Sequence, residues 1–394
     1  MNQTARIISI YAADTSGVCS ALYEFGGMTV IHDASGCNST YTTHDEPRWY
    51  DKKSMMFISG LTEKDAVMGN DDKFINDLII AANELNPKFI ALCASPLPAM
   101  IGTDLEAIAY AVENETGIPS FSVKTNGMNS YIYGIQNAFL ELAKRFINAK
   151  SSSNSNIKSN IESTVIFDNK TSKIKVNILG MTPLDFPKKE YFNSLKSFIE
   201  DSGMILNACM GMETSLCEVE NLADANVNLI VSSSGKPLGE YLYDKYNIPY
   251  VKGVPYGIGF AEKIKESLIL SANKKTCIDA TKDLREKGRV AILGESVLSA
   301  SLASALLIDK GIKADVLETV GEGDFEILKD FDISCDDEKI LEDTLKNFDT
   351  IIGDPLFKPI CKGKNFIELP HEAFSGRCFT KNSPNLINTN ISII

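Results

Sequence analysis

The sequence predicts an α/β protein made of repeated Rossmann-like domains, with parallel β-sheets flanked by helices. Three observations lead there. Units of apolar strand, Gly- or Ser-containing loop and amphipathic helix recur along the chain, an order that favours parallel sheets joined by right-handed crossovers. Two of these units end almost alike, in Gly117-Ile-Pro119 and Asn247-Ile-Pro249, and each ending opens a strand. The Ser/Asn-rich stretch 151–160 then reads as a linker or long surface loop. These divisions give a first Rossmann-like domain over 1–150, a polar linker over 151–170, a second domain over 171–280 and a third over 281–394.

The first block opens with a strand over Ile7 to Tyr11, a loop through Asp14 and Gly17, and a helical pattern of Val18, Ala21, Leu22 and Phe25. Val30-Ile31 is a short buried strand running into a polar turn that ends at Gly36-Cys37. Phe89 to Cys93 is another buried strand, after which Thr103 with Glu106 reads as a capping box opening a helix. Gly117 closes that helix and Ser120 to Val123 follows as a strand. The second block runs from the strand Lys175–Gly180 through Asn228–Val231, the loop Ser232–Gly235, a helix, and Asn247–Val251. The third carries the strand Arg289–Gly294, a helix from about Ser299 to Lys310 stopped by Gly311, and strands at Ala314–Leu317, Thr350–Gly353 and Asn365–Leu369. Ligands of such sheets gather at the carboxyl ends of strands. Here those ends are the loops Asp14–Gly17, Ala34–Cys37, Cys93–Pro98, Ser232–Lys236, Gly294–Ser296 and Gly353–Pro355.

Composition narrows the function. With 394 residues, 44% of them hydrophobic and 23% charged, the chain has the make-up of a folded multidomain protein. A net charge of -13 argues against nucleic acid as a partner, because phosphate neutralisation needs clustered Lys and Arg. No run of about 18 uncharged apolar residues offers a membrane span. The start leads straight into the first expected strand and leaves no room for a signal peptide. Nine scattered cysteines do not form a secreted disulfide framework, so the expected location is a reducing cytoplasm. Gly257-Ile-Gly259 and Gly321-Glu-Gly323 lack the context of a nucleotide fingerprint, and no phosphate-loop motif occurs.

Cys37 is the thiol best placed for chemistry. Glycine before it lets backbone approach closely, and the amides of such a turn stabilise a thiolate that can be presented to a metal; a half-buried packing cysteine is the plainer reading. His371, one of three histidines, lies in Pro370-His-Glu-Ala-Phe-Ser-Gly-Arg377 and is a candidate proton donor at a domain cleft, or else a hydrogen-bonded structural residue. His44-Asp-Glu-Pro-Arg48 is a charged cluster after the Cys37 loop, read as a solvated loop, or else as the lining of a cluster environment or a docking face. Cys209 and Cys217 read as structural, and Cys277, Cys335, Cys361 and Cys378 as packing residues.

Several short motifs, in order, resemble the nitrogenase component 1 family. Gly17-Val-Cys-Ser-Ala-Leu22 followed by His32…Gly36-Cys37 is similar to the family's Gly-Ala-x-x-Ala-Leu…His-Gly-Pro-x-Gly-Cys. Leu61-Thr-Glu-Lys-Asp-Ala-Val-Met-Gly69 resembles Glu-Lys-Asp-x-Val-x-Gly, and Ile101-Gly-Thr-Asp104 resembles Ile-Gly-Asp-Asp. Gly253-Val-Pro-Tyr-Gly257 is similar to a Pro-x-Gly turn after the second-domain strand.

The resemblance implies an iron–sulfur cluster, of the [4Fe-4S] type, held by cysteines at a subunit interface. Cys37 matches the second of three family cysteines, whereas Ala13 and Pro96 stand at the first and third positions. Cys19 and Cys93, six and three residues out of register, are the candidate substitutes, and each is otherwise a core residue. Asp33 is either an oxygen ligand or a turn cap. The partner chain would be a symmetry mate in a homodimer or a paralogous subunit in a heterotetramer. Electrons would come from an ATP-dependent iron–sulfur reductase, and a small-molecule substrate would bind between domains. Ser232-Ser233 stands where the family carries a cofactor-binding cysteine, which argues against dinitrogen reduction at a molybdenum cofactor. The alternatives are a non-catalytic scaffold that carries a metallocofactor and a cluster-free small-molecule binding protein.

Overall fold

The computed structural model describes residues 6–34, 36, 45–147, 173–335 and 337–393. Its strands form three sheets, all parallel. The first part of the chain supplies α1 (Asp14–Leu22), β1 (Met28–His32), β2 (Met55–Ile58), α2 (Glu63–Met68), α3 (Asp71–Leu85) and β3 (Ile90–Ala94). It continues with α4 (Pro96–Ile101), α5 (Leu105–Thr116), β4 (Ser120–Val123) and α6 (Tyr131–Phe146). The strand order is β2-β1-β3-β4. β1 and β3 are buried along their whole length, which is why β3 reads as a continuous apolar run and β1 has Val30-Ile31 side by side at its centre, with no alternation.

Two local expectations shift. The cap of α5 is Asp104, one residue after Thr103, because its carboxylate accepts from the Ala107 amide at 3.0 Å and places negative charge at the helix start. Ile7–Tyr11 is not a sheet strand. It runs extended across the molecule, where the Ile10 and Tyr11 amides donate to the carbonyls of Phe374 and Ala373, each at 3.0 Å.

α1 and α6 cross at two glycines. A Cβ at Gly17 would fall inside the Tyr131 carbonyl, and one at Gly134 inside that of Asp14, so the backbones meet only because neither residue has a side chain.

The second sheet is built from β5 (Lys175–Leu179), α7 (Lys189–Asp201), β6 (Ile205–Cys209), α8 (Leu216–Glu220), β7 (Val227–Ile230) and α9 (Lys236–Tyr246). β8 (Tyr250–Lys252), α10 (Gly259–Lys274) and β9 (Ile278–Asp279) complete it, in the order β6-β5-β7-β8-β9. Three asparagines lock its centre. Asn177 on β5 donates to Asn228 on β7 and to the Leu222 carbonyl, both at 2.9 Å, and accepts from Asn207 on β6 at 2.8 Å. These bonds match the pairing of Asn177 with Asn228 and satisfy polar groups that would be costly if left bare.

The third sheet has the order β12-β11-β10-β13-β14. Its elements are β10 (Val290–Gly294), α11 (Ser296–Lys310), β11 (Ala314–Glu318), β12 (Ile333–Ser334), α12 (Glu338–Leu345), β13 (Thr350–Gly353), β14 (Asn365–Glu368) and α13 (Glu372–Ser375). α11 begins three residues earlier than its apolar pattern suggests, because Glu295 caps it by accepting from the Val297 and Leu298 amides. One apolar core runs continuously through the second and third sheets, and a second joins α6 to β5, β7 and α9. No helix among the described residues is long and apolar enough to cross a membrane.

Candidate functional site

Two places gather the residues singled out by sequence. The first is the carboxyl end of the first sheet. Cys37 and His44 lie outside the described residues. Cys19, on α1, is 1% exposed, and burial together with the Glu46 charge pushes its thiol up to about 12. Cys93, on β3, has no exposed surface, and its thiol donates weakly to the Val30 carbonyl at 3.8 Å. Burial, then the nearby Cys19, Asp14 and Asp33, raises it well above the ordinary range. Among the described residues neither thiol has a thiolate-stabilising partner, and neither faces solvent, so both behave as core residues in the folded chain.

Asp33 accepts from the Ala34 amide at 2.8 Å, as a turn cap does. His32 stacks on Phe74 with ring centroids 4.3 Å apart and its Nδ1 meets Ser59 Oγ at 2.8 Å; burial lowers its pKa. Among the described residues, no group of three or more His, Cys, Asp or Glu side chains is arranged to hold a metal ion. An iron–sulfur cluster would therefore need ligands beyond the described set.

Arg48 anchors the stretch where the described chain resumes at residue 45. Its guanidinium donates to Glu46 at 2.8 Å, to Glu24 at 3.1 Å, and to the carbonyls of Ser20 at 2.9 Å and Gly211 at 2.8 Å. It also lies over the Tyr23 ring, 4.6 Å from the centroid. The Gly211 bond ties the first sheet's loop to the second sheet.

The second place is a seam where the three sheets meet, and His371 is in it. Its Nε2 is 3.0 Å from Asp185 Oδ1, and the same oxygen accepts from the Tyr131 hydroxyl at 2.6 Å. One carboxylate oxygen thus joins α6, the loop after β5 and the turn before α13. The His371 amide donates to Asp354 at 2.8 Å, which fixes the ring's approach. A small cavity of about 50 Å³ opens here, lined by Asp185, His371, Tyr191, Tyr256 and Glu295 among others. Burial, then the Asp185 charge, pushes the Glu295 carboxyl up to about 7. Glu295 also accepts from the Ser233 amide at 3.0 Å and from its hydroxyl, so Ser233 closes onto the third sheet. Beside it, buried Lys252 and Asp324 pair at 2.6 Å.

The strand-end rule flagged the loops holding Ser233, Glu295 and Asp354. It missed Asp185, because the loop after the Lys175–Gly180 strand was not among those singled out; its signal was an acidic residue at one further strand end. Cys209 meets Met181 Sδ at 3.8 Å in the core, Cys335 and Cys361 are also buried, and Cys217 and Cys378 are exposed.

The fold and the two sites define a three-sheet α/β protein whose parallel sheets meet at a polar seam. Residues 15–324 match the family model for nitrogenase component 1 type oxidoreductases, and the chain belongs to that family. The light-independent protochlorophyllide reductase of Leptolyngbya boryana has a B subunit that is 25% identical over 48% of this chain and 36% of its own length. The nitrogenase iron-molybdenum cofactor biosynthesis protein NifE of Sinorhizobium fredii (strain NBRC 101917 / NGR234) is 25% identical over 57% of this chain and 42% of its own length. The matched stretch thus spans less than half of each relative. Solved structures of nitrogenase Cp1 at pH 5 and pH 6.5 align over 96% and 98% of this chain and 86% and 89% of theirs. Their TM-scores are 0.61 and 0.63 at 16% and 15% identity, a likeness of fold.

Proposed function

We propose that the chain is a redox subunit that takes electrons from an ATP-dependent iron–sulfur reductase and delivers them to a small molecule bound at the seam. Membership of the family across residues 15–324 is the observation that carries this reading. A [4Fe-4S] cluster, when bound, would supply one-electron transfer at a subunit interface, with Cys37 as this chain's ligand and a homodimer mate or paralogous subunit supplying the rest. Burial of Cys19 and Cys93 leaves them as core supports of α1 and β3. At the seam, Asp185 orients His371 through Nε2, and the imidazole is the group placed to hold or release a proton.

A scaffold that carries a metallocofactor without catalysis is the second reading. Ala13 and Pro96 at two family cysteine positions favour it. A cluster-free binding protein is the third. Anaerobic purification with iron and sulfide analysis, then low-temperature EPR after dithionite, separates them. The redox reading expects a reducible signal lost in Cys37→Ala. Absence of iron and of any reducible signal, with the chain isolated alone and together with its partner subunit, refutes it.

A further inference from the structure

We propose that the seam cavity beside Asp185 and His371 binds a small protonated amine. This names the ligand class for the cleft assigned above; it rests on that assignment and on no cluster.

Asp185 has one oxygen fully used and one unused. Oδ1 accepts from Tyr131 and His371, while Oδ2 is buried and has no hydrogen-bond partner among the described residues. The residue as a whole is 6% exposed. His371 Nδ1 is likewise buried and unpartnered among the described residues. With Nε2–H donating to Asp185, the neutral ring leaves a lone pair on Nδ1, so both unused atoms are acceptors. Two such acceptors beside a cavity demand donors, since a buried polar atom without a bond leaves its loss of hydration uncompensated.

The cavity's size and charge choose among donors. Its volume of about 50 Å³ exceeds the ~10–15 Å³ that one water requires, leaving room for an organic group of a few heavy atoms. Among the described residues no Lys or Arg lines it, whereas Asp185 and Glu295 do. An anion would be repelled by these carboxyl groups, and an apolar molecule would leave Oδ2 bare. A protonated amine supplies up to three N–H donors and the missing positive charge, and Tyr191 and Tyr256 contribute aromatic walls suited to a cation.

The probe is methylammonium, with methanol as its neutral counterpart and acetate as the anion, at fixed ionic strength and pH 7.5, on cluster-free full-length chain. Calorimetry and thermal melting are expected to show saturable methylammonium binding at least tenfold tighter than methanol, with no effect of acetate. Asp185→Asn should weaken it at least tenfold. Should that variant fail to fold, the wild-type preference for methylammonium over methanol decides, with His371→Gln as the second variant. No saturable binding, equal binding of methanol, or undiminished binding by Asp185→Asn overturns the proposal. Because no iron is involved, this failure stays distinct from loss of the EPR signal in the redox test.

Discussion

Replacing Arg48 by Met tests how the chain around residues 45–52 is held. Methionine keeps the packing over Tyr23 but removes every donor of a guanidinium that is 7% exposed. Glu24 keeps Lys52 as a partner, whereas Glu46, 1% exposed, loses the only cation that bonds it among the described residues. Removing one member of a buried pair costs about 3–5 kcal/mol, and the carbonyls of Ser20 and Gly211 also lose donors. The expected loss is about 4 kcal/mol at pH 8.

Glu46 can relieve part of that loss by taking up a proton. Burial already raises its carboxyl even with the Arg48 guanidinium opposing, and in the variant only the residue-48 amide, which donates to Glu46 at 2.7 Å, still opposes. A carboxyl whose folded value lies above its unfolded one makes the folded state bind the extra proton. Stability then falls as pH rises from the ordinary carboxylate range through the folded value, by at most about 1.4 kcal/mol per pH unit. The variant's deficit should therefore shrink by at least ~1 kcal/mol on going from pH 8 to pH 6. Urea titration followed by Trp49, the sole tryptophan, reads the neighbourhood directly. Arg48→Lys should recover only part of the loss, because one ammonium cannot span four acceptors. A deficit below ~1 kcal/mol, or one independent of pH, would refute the reasoning.

Glu295→Gln should flatten the pH dependence of melting. The wild-type carboxyl, raised by burial and Asp185 to about 7, contributes stability that is full below its unfolded value and lost as pH rises through about 7. The difference in slope between the two proteins should amount to about 2–3 kcal/mol between pH 4.5 and 7.5, and parallel curves would contradict it. Gly134→Ala should destabilise the chain to urea by about 1–3 kcal/mol or more, since the new Cβ meets the Asp14 carbonyl and drives α1 from α6. Gly17→Ala strains the same crossing, so the double variant should fall short of the summed losses; a neutral Gly134→Ala would show that the helices can separate freely.

Much of the architecture was readable because parallel strands buried on both faces leave uninterrupted apolar runs. Ile90–Ala94 is such a run, and the strand expected over Phe89–Cys93 lies within one residue of it. Ile7–Tyr11 carries a similar run, yet it docks on residues 373 and 374 by backbone bonds, and no local pattern distinguishes that from sheet pairing. Gly17 was visible as part of a motif, but its reason, a helix crossing at Tyr131, exists only in three dimensions. The site divides the same way. His371 stood out because histidines are few, whereas Asp185 lies in Pro183-Leu-Asp-Phe-Pro187 and looks like an ordinary turn residue. Its meaning comes from partners 54 and 186 positions away in sequence. That separation has a physical consequence. Tyr131 and His371 reach the same carboxylate from opposite sides of it in sequence, so a ligand that engages Asp185 also acts on the contact that holds α6 and α13 to the second sheet. Binding at the seam and the packing around Asp185 are then coupled, because a ligand on Oδ2 draws on the charge of the same carboxylate whose Oδ1 accepts both hydrogen bonds.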